Sequence, residues 1–369
     1  MRHFLWVLAL MAISMQGLAQ TNVSSTKSKQ LANNKVTTTV KKPGTTVVKK
    51  PTATQDKKPV TTQDKKPTTT TPEKKPATTA ASTTPTCGYL CNPPLPYLPA
   101  KLDILFIGNS FSIDTSTALP EILNSLGIRN VNVYVLYKGG CSMKQHYEYY
   151  KSGEKVYEFY RYNILGETQL EKATSINDVM RRFPYDVVVF QQYSLDSGDY
   201  NSYEPYLSKL IQAYNITKIA QRTTFAFNET WSYASNNKSI AKYKTPVDMW
   251  KNICNSIKKM KAISGIDVII PCGTAVQNAR SIEALNIDNE LTRDGLHINL
   301  YSGRYLLACT FFESIIAPCL CRSLRDDMTI YGKSTDIGPV NNSNRRQLQN
   351  CARLAVANNY EISEFASAE

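Results

Sequence analysis

Histidine is nearly absent from this sequence: three in 369 residues, one of them His3. A metal centre or a multi-histidine relay has little to draw on. The nine cysteines (87, 91, 141, 254, 272, 309, 319, 321 and 351) do not make up for it. Cys87 and Cys91 form C-x3-C and Cys319 and Cys321 form C-x-C, both without a nearby histidine, which is a poor zinc pattern. Neither a metal nor an organic cofactor is expected. An odd count leaves at least one cysteine unpaired within a monomer, and spacing does not reveal the pairing. Long apolar runs are also missing. The run Phe4–Ile13 is too short to span a bilayer, and no later stretch is long and apolar enough for a membrane helix.

Acidic charge is scarce too, with 43 Lys and Arg against 30 Asp and Glu, a net charge of +13. The excess is local. Residues 20–86 hold thirteen lysines against Asp56, Asp64 and Glu73, a net of +10, and Arg2 adds one. About +2 is left for all the rest. A basic face for nucleic acid is therefore not supported, and the lysine-rich segment has no interleaved aromatics.

Two biased stretches precede the globular part. Residues 1–19 carry Arg2 and His3, then the apolar run, then Gly17-Leu18-Ala19, the pattern of a secretory leader. Export, to the periplasm or beyond, is the expectation. Residues 20–86 are Thr, Lys and Pro with a recurring unit, TQDKKP twice and then TPEKKP. They bury too little apolar surface to offset chain entropy, so a disordered spacer is expected. Residues 87–369 are expected to form one folded domain.

That domain alternates two patterns. Short β-branched runs without polar alternation predict strands at 102–108, 131–137, 185–192, 217–225 and 266–270. Helical patterns lie near 115–126, 142–152, 203–214, 246–263, 275–284, 302–317 and 344–358. Segments 151–180 and 226–245 show no strong periodicity and are expected as loops. Five strands separated by helices predict right-handed crossovers and a doubly wound parallel α/β sheet.

In such a sheet, functional groups gather beyond the carboxyl ends of the strands. The first strand ends in Gly108-Asn109-Ser110, the second in Gly139-Gly140-Cys141-Ser142, the third in Gln191-Gln192-Tyr193-Ser194. A serine needs a base. Beyond the leader only His146 and His297 are available, and Asp294-x-x-His297 lets one short loop present a carboxylate and an imidazole together. Candidate oxyanion donors are the Ser110 N–H, Gly140 at a strand-to-helix turn, and the side chain of Gln192. Gln191 is the alternative, because strand alternation points the two glutamines to opposite faces. Ser112 is a candidate cap for the first helix. His146 is expected to be structural or to face a substrate, and Tyr193 to face a substrate.

Gly108-Asn109-Ser110 resembles the Gly-Asp-Ser block of the SGNH (GDSL-like) hydrolases, and Asp294-x-x-His297 resembles their last block. Gly140 falls where their oxyanion glycine falls. PCGTAVQNAR (271–280) and RDGLHINLYSGRYLLACTFFE (293–313) look like a poorly characterised exported bacterial branch. The resemblance, over roughly 102–320, implies a three-layer α/β/α flavodoxin-like fold, Ser110 as nucleophile, His297 as base and Asp294 as orienter. Two departures stand out: Asn109 replaces the aspartate, and QQYSLDS replaces the Gly-x-Asn-Asp block that normally supplies an asparagine donor. The implied activity is hydrolysis of small acyl esters, O-acetyl groups on carbohydrate first among them. A non-catalytic glycan- or envelope-binding module and an acyltransferase are the alternatives. Small-molecule or glycan partners are expected, and nucleic acid is not.

Overall fold

The computed structural model describes residues 93–324, 340 and 342–365, which lie within one compact unit, residues 80–369. The leader, the spacer, Cys87 and Cys91 lie outside the described residues. The fold is α/β, with a central, mostly parallel sheet flanked by helices. Among the described residues there are seven strands rather than five: β1 (Leu102–Gly108), β2 (Val131–Tyr137), β3 (Tyr157–Tyr162), β4 (Thr168–Thr174), β5 (Val187–Phe190), β6 (Thr224–Asn228) and β7 (Val268–Ile270), in the order β4-β3-β2-β1-β5-β6-β7. β2, β1, β5, β6 and β7 are parallel; β3 pairs antiparallel with β2, and β4 antiparallel with β3 at the edge.

The two extra strands lie in 151–180, read from sequence as loop. β4, TQLEKAT, is exposed at six of its seven positions, so it had no apolar pattern to show. β3, YEFYRY, does alternate, burying Tyr157, Phe159 and Tyr162, but it is short and rich in polar side chains. The fourth parallel strand begins later than predicted, at Thr224, because the preceding helix runs to Thr217 and a loop follows.

The helices are α1 (Ser110–Thr117), α2 (Leu119–Ser125), α3 (Met143–Ser152), α4 (Ile176–Met180), α5 (Tyr206–Thr217), α6 (Pro246–Ser264), α7 (Cys272–Arg280), α8 (Ser302–Phe311), α9 (Ala317–Leu320) and α10 (Asn342–Ala357). Local chemistry sets their ends. In α6 the Thr245 side chain accepts the Asp248 N–H, Pro246 takes the first turn and Gly265 closes the helix. In α3, Ser142 and Gln145 form a reciprocal capping box. Helices α1, α2, α7, α8 and α10 pack together, as do α3, α5 and α6. A π-helical turn at Phe312–Ile316 joins α8 to α9, and residues 302–320, contrary to the reading of the sequence, are long and apolar enough to cross a membrane. This helix is instead 83% buried inside the fold, so it is a core helix by position.

β1 is buried at all seven positions and pairs with β2 on one side and β5 on the other. The connections diverge there, from β1 to β2 in one direction and onward from β5 to β7 in the other. This is the switch point of the sheet, where a crevice opens at the strands' carboxyl ends. Ser110 sits there.

Candidate functional site

The chain leaves β1 through Gly108 and enters α1 within two residues. A Cβ on Gly108 would crowd the Ser112 side chain, so a glycine suits this close approach of strand to helix. Asn109 is the N-cap of α1, and Ser110 is the first helical residue, half-buried.

The second arm is the loop after Leu291. Thr292 and Ile298 form an antiparallel bridge, and the Arg293 N–H donates to the His297 carbonyl at 2.9 Å. Within this tight loop Asp294 Oδ1 accepts the backbone N–H groups of Leu296 and His297, at 3.0 and 2.7 Å. Its Oδ2 lies 2.7 Å from His297 Nδ1, and His297 Nε2 lies 2.8 Å from Ser110 Oγ. Burial raises the Asp294 carboxyl somewhat, but hydrogen bonds from the His297 ring and the two backbone N–H groups outweigh it and leave it below the usual carboxylate range. The three predicted residues thus form one continuous hydrogen-bonded line, 187 residues apart in sequence at its longest step.

The line is braced from behind. Phe111 stacks on Trp231 with ring centroids 3.9 Å apart, and Phe111 meets the His297 ring edge-on at 6.0 Å. Trp231 Nε1 donates to the Leu296 carbonyl. Below, Asp114 on α1 is fully buried and accepts from Arg293 Nη1 at 3.0 and 3.1 Å and from Arg304 Nε and Nη2 at 2.9 and 2.8 Å. Arg293 also donates to the Ile298 carbonyl. One carboxylate therefore ties the serine helix to the histidine loop. Ahead of that loop, Asp288–Leu291 all have positive φ, a left-handed turn that costs about 1–2 kcal/mol per residue. It is held by Asn299 donating to Asp288 and Arg280 donating to the Glu290 carbonyl.

The remaining candidates divide. Gly140 is exposed at φ +62° in the turn after β2, beside Tyr193, whose Cε2 would be 3.9 Å from a Cβ there. Among the described residues neither the Gly140 N–H nor the Ser110 N–H has a hydrogen-bond partner. Tyr193 is half-buried at the same place.

Gln192 is different. It is fully buried, its Nε2 donates to the Ser202 carbonyl and hydroxyl at 2.7 and 2.9 Å, and its Oε1 accepts the N–H groups of Met143 and Tyr193. Both amide hydrogens are spent, so the side chain braces two loops and has nothing left for an oxyanion. Gln191, the alternative, donates to Asn109 Oδ1 and accepts from Ser112 Oγ, so Ser112 bonds the glutamine instead of capping α1.

For His146 the substrate-facing alternative is corrected in favour of the structural one. His146 is fully buried beneath α3 with Nδ1 2.9 Å from Tyr157 Oη, and burial lowers its pKa to about 3. It faces β3, a strand not foreseen, and cannot touch a substrate. Of the other tyrosines, Tyr203 is buried against Phe227, and Tyr147 and Tyr150, both on α3, stack on each other. Among the described residues no group of three or more His, Cys, Asp or Glu is arranged to hold a metal ion. Cys321 is disulfide-bonded, while Cys141, Cys254, Cys272, Cys309, Cys319 and Cys351 are free thiols.

Asp114, Arg293, Arg304 and Trp231 escaped the sequence reading, which named Asn109 only as a departure from the usual aspartate and gave it no role. The usable signal was slight: Arg293 adjoins Asp294, and Asp114 lies one helical turn from Ser110.

A DUF4886 family protein from Bacteroides uniformis has a similar structure, with a TM-score of 0.63 and 28% identity, covering 72% of this chain and 98% of its own. A proposed SGNH hydrolase from Slackia heliotrinireducens matches at a TM-score of 0.41 and 19% identity, covering 58% of this chain and 98% of its own. A catalytic mutant of an acetylxylan esterase from Geobacillus stearothermophilus matches at 0.40 and 11%, covering 59% and 96%. No curated protein matches the chain. The model of the family described as domain of unknown function DUF4886 matches residues 103–337, well over half of the sequence, and the chain belongs to that family.

Proposed function

We propose that this protein is an exported serine hydrolase that cleaves small acyl esters through an acyl-enzyme. The observation that carries the reading is the hydrogen-bonded line Ser110–His297–Asp294 at the switch point of the sheet. Ser110 Oγ attacks the ester carbonyl while His297 Nε2 takes its proton. The C–O bond to the alcohol breaks as His297 returns that proton to the leaving oxygen. Water, deprotonated by the same nitrogen, then releases the acid and regenerates Ser110. Asp294 holds the Nδ1–H tautomer and the orientation of the ring. The Ser110 and Gly140 N–H groups receive the negative charge that develops on the carbonyl oxygen.

Without a side-chain amide in that site, one donor of the usual three is missing, worth on the order of 3 kcal/mol in the transition state. A slow esterase follows from this. For the substrate, the half-buried Tyr193 beside Gly140 offers an aromatic face to a sugar ring. Short esters such as O-acetyl groups on carbohydrate are the proposed class, and export rests on the leader-like residues 1–19.

The test is p-nitrophenyl acetate hydrolysis by the full chain against Ser110→Ala and His297→Ala. Turnover should fall by about a thousandfold or more in both, with thermal melting unchanged. A wild-type rate no higher than the two variants would sink the hydrolase and leave a binding module as the better reading.

A further inference from the structure

The departure from aspartate to asparagine at position 109 has a physical reason in the contacts of that side chain. Asn109 Oδ1 accepts the Phe111 N–H at 3.1 Å and Gln191 Nε2 at 2.7 Å, while its Nδ2 donates to the Cys141 carbonyl at 3.2 Å. The Phe111 N–H and the Cys141 carbonyl are backbone groups of fixed polarity, so the amide has only one orientation that suits both. An aspartate could keep the two accepted bonds. It has no proton for Cys141 at neutral pH and would set an anionic oxygen against that carbonyl.

Cys141 closes the turn that presents Gly140. That turn is pinned at Lys138, whose N–H donates to the Gly108 carbonyl, and by the Cys141 N–H donating back to the Lys138 carbonyl. The third pin is the Asn109–Cys141 bond, which holds the Cys141–Ser142 peptide and so fixes the end of the turn whose Gly139–Gly140 peptide carries the Gly140 N–H. Gln191, itself held by Ser112, keeps Asn109 in place from the end of β5. We infer that Asn109 is the positioning residue of the oxyanion site: its amide, donating to Cys141, aims the Gly140 N–H at the oxygen of an ester bound to Ser110. The role rests on the hydrolase reading. It is also why the site works with backbone donors, since both glutamines that could have supplied a side-chain amide brace the loops instead.

Asn109→Asp separates this role from a merely structural one, because aspartate is an equally good N-cap and retains the acceptors for Phe111 and Gln191. At pH 7.5 (an assay choice) kcat for p-nitrophenyl acetate should fall roughly tenfold to a hundredfold, with KM and melting temperature nearly unchanged. Asn109→Ala, which removes the donor without adding charge, should lose a comparable factor. The ratio of Asn109→Asp to wild type should climb as pH drops toward about 4, where a protonated carboxyl can donate again, while the Asn109→Ala ratio stays flat. Wild-type kcat in Asn109→Asp overturns the inference. So does wild-type kcat in Asn109→Ala, which would assign the aspartate's effect to its charge. An inactive wild type instead defeats the hydrolase reading on which the inference stands.

Discussion

Asp114→Asn is the most informative perturbation of this fold. The carboxylate is fully buried and receives two guanidinium groups, from Arg293 with about a third of its side chain exposed and from Arg304 with about a tenth. Removing one partner of a buried ion pair leaves uncompensated charge and costs about 3–5 kcal/mol. Arg293 can turn partly to water, so the low end, about 3 kcal/mol, is the better figure. For a domain of this size that corresponds to a melting point lowered by roughly 6–12 °C. Activity should suffer as well, because Arg293 adjoins Asp294 and Asp114 shares a short helix with Ser110. A displacement of about 1 Å between serine and histidine would cost on the order of a hundredfold in kcat. Thermal unfolding followed by circular dichroism, together with p-nitrophenyl acetate turnover at a temperature where the variant is folded, reads both effects. A variant that melts within about 2 °C of wild type and keeps its turnover would refute the idea that this cluster joins the serine helix to the histidine loop.

Glu229 supplies a pH test. It is fully buried after β6, and burial pushes its pKa up to about 7 against hydrogen bonds from Thr274, Trp250 and Cys254. The folded state then binds a proton that the unfolded state has already lost, so stability should fall as pH rises from about 4.5 to about 7, by up to 1.4 kcal/mol per unit. Glu229→Gln should flatten that decline in urea unfolding, and identical profiles for the two proteins would count against it. Asp294 has the opposite sign: its lowered pKa gives a contribution present above the ordinary carboxylate range, near pH 4, and lost as pH drops through the lower folded value. In Asp294→Asn that acid-side loss should be missing from the unfolding curve, and turnover should drop by orders of magnitude because the histidine tautomer is no longer held. His146→Phe, placed against Tyr157 away from the crevice, should change kcat by less than about twofold, whereas a hundredfold loss would return His146 to the site.

What was legible in sequence followed from periodicity and punctuation. β1, β2, β5 and β7 are short buried runs, and chain entropy allows such runs little choice once both faces are covered. Ser110 could be found because a glycine and a hydroxyl end a core strand, and Asp294 with His297 because three residues of separation suffice for a loop to present both. β4 was invisible because an exposed edge strand buries almost nothing and so carries no apolar signal. The fates of Gln192 and His146 depended on partners 10 to 49 residues away, Ser202 and Met143 for one and Tyr157 for the other. A side chain's polarity states what it can bond, and the sequence alone therefore determined a doubly wound sheet with a serine, an aspartate and a histidine able to meet. Only the tertiary structure decided which amides were already occupied, that Asp114 would bind two arginines, and that Asn109 would face a carbonyl. Hydrogen-bond capacity is local, but its use is settled by whatever packs against it.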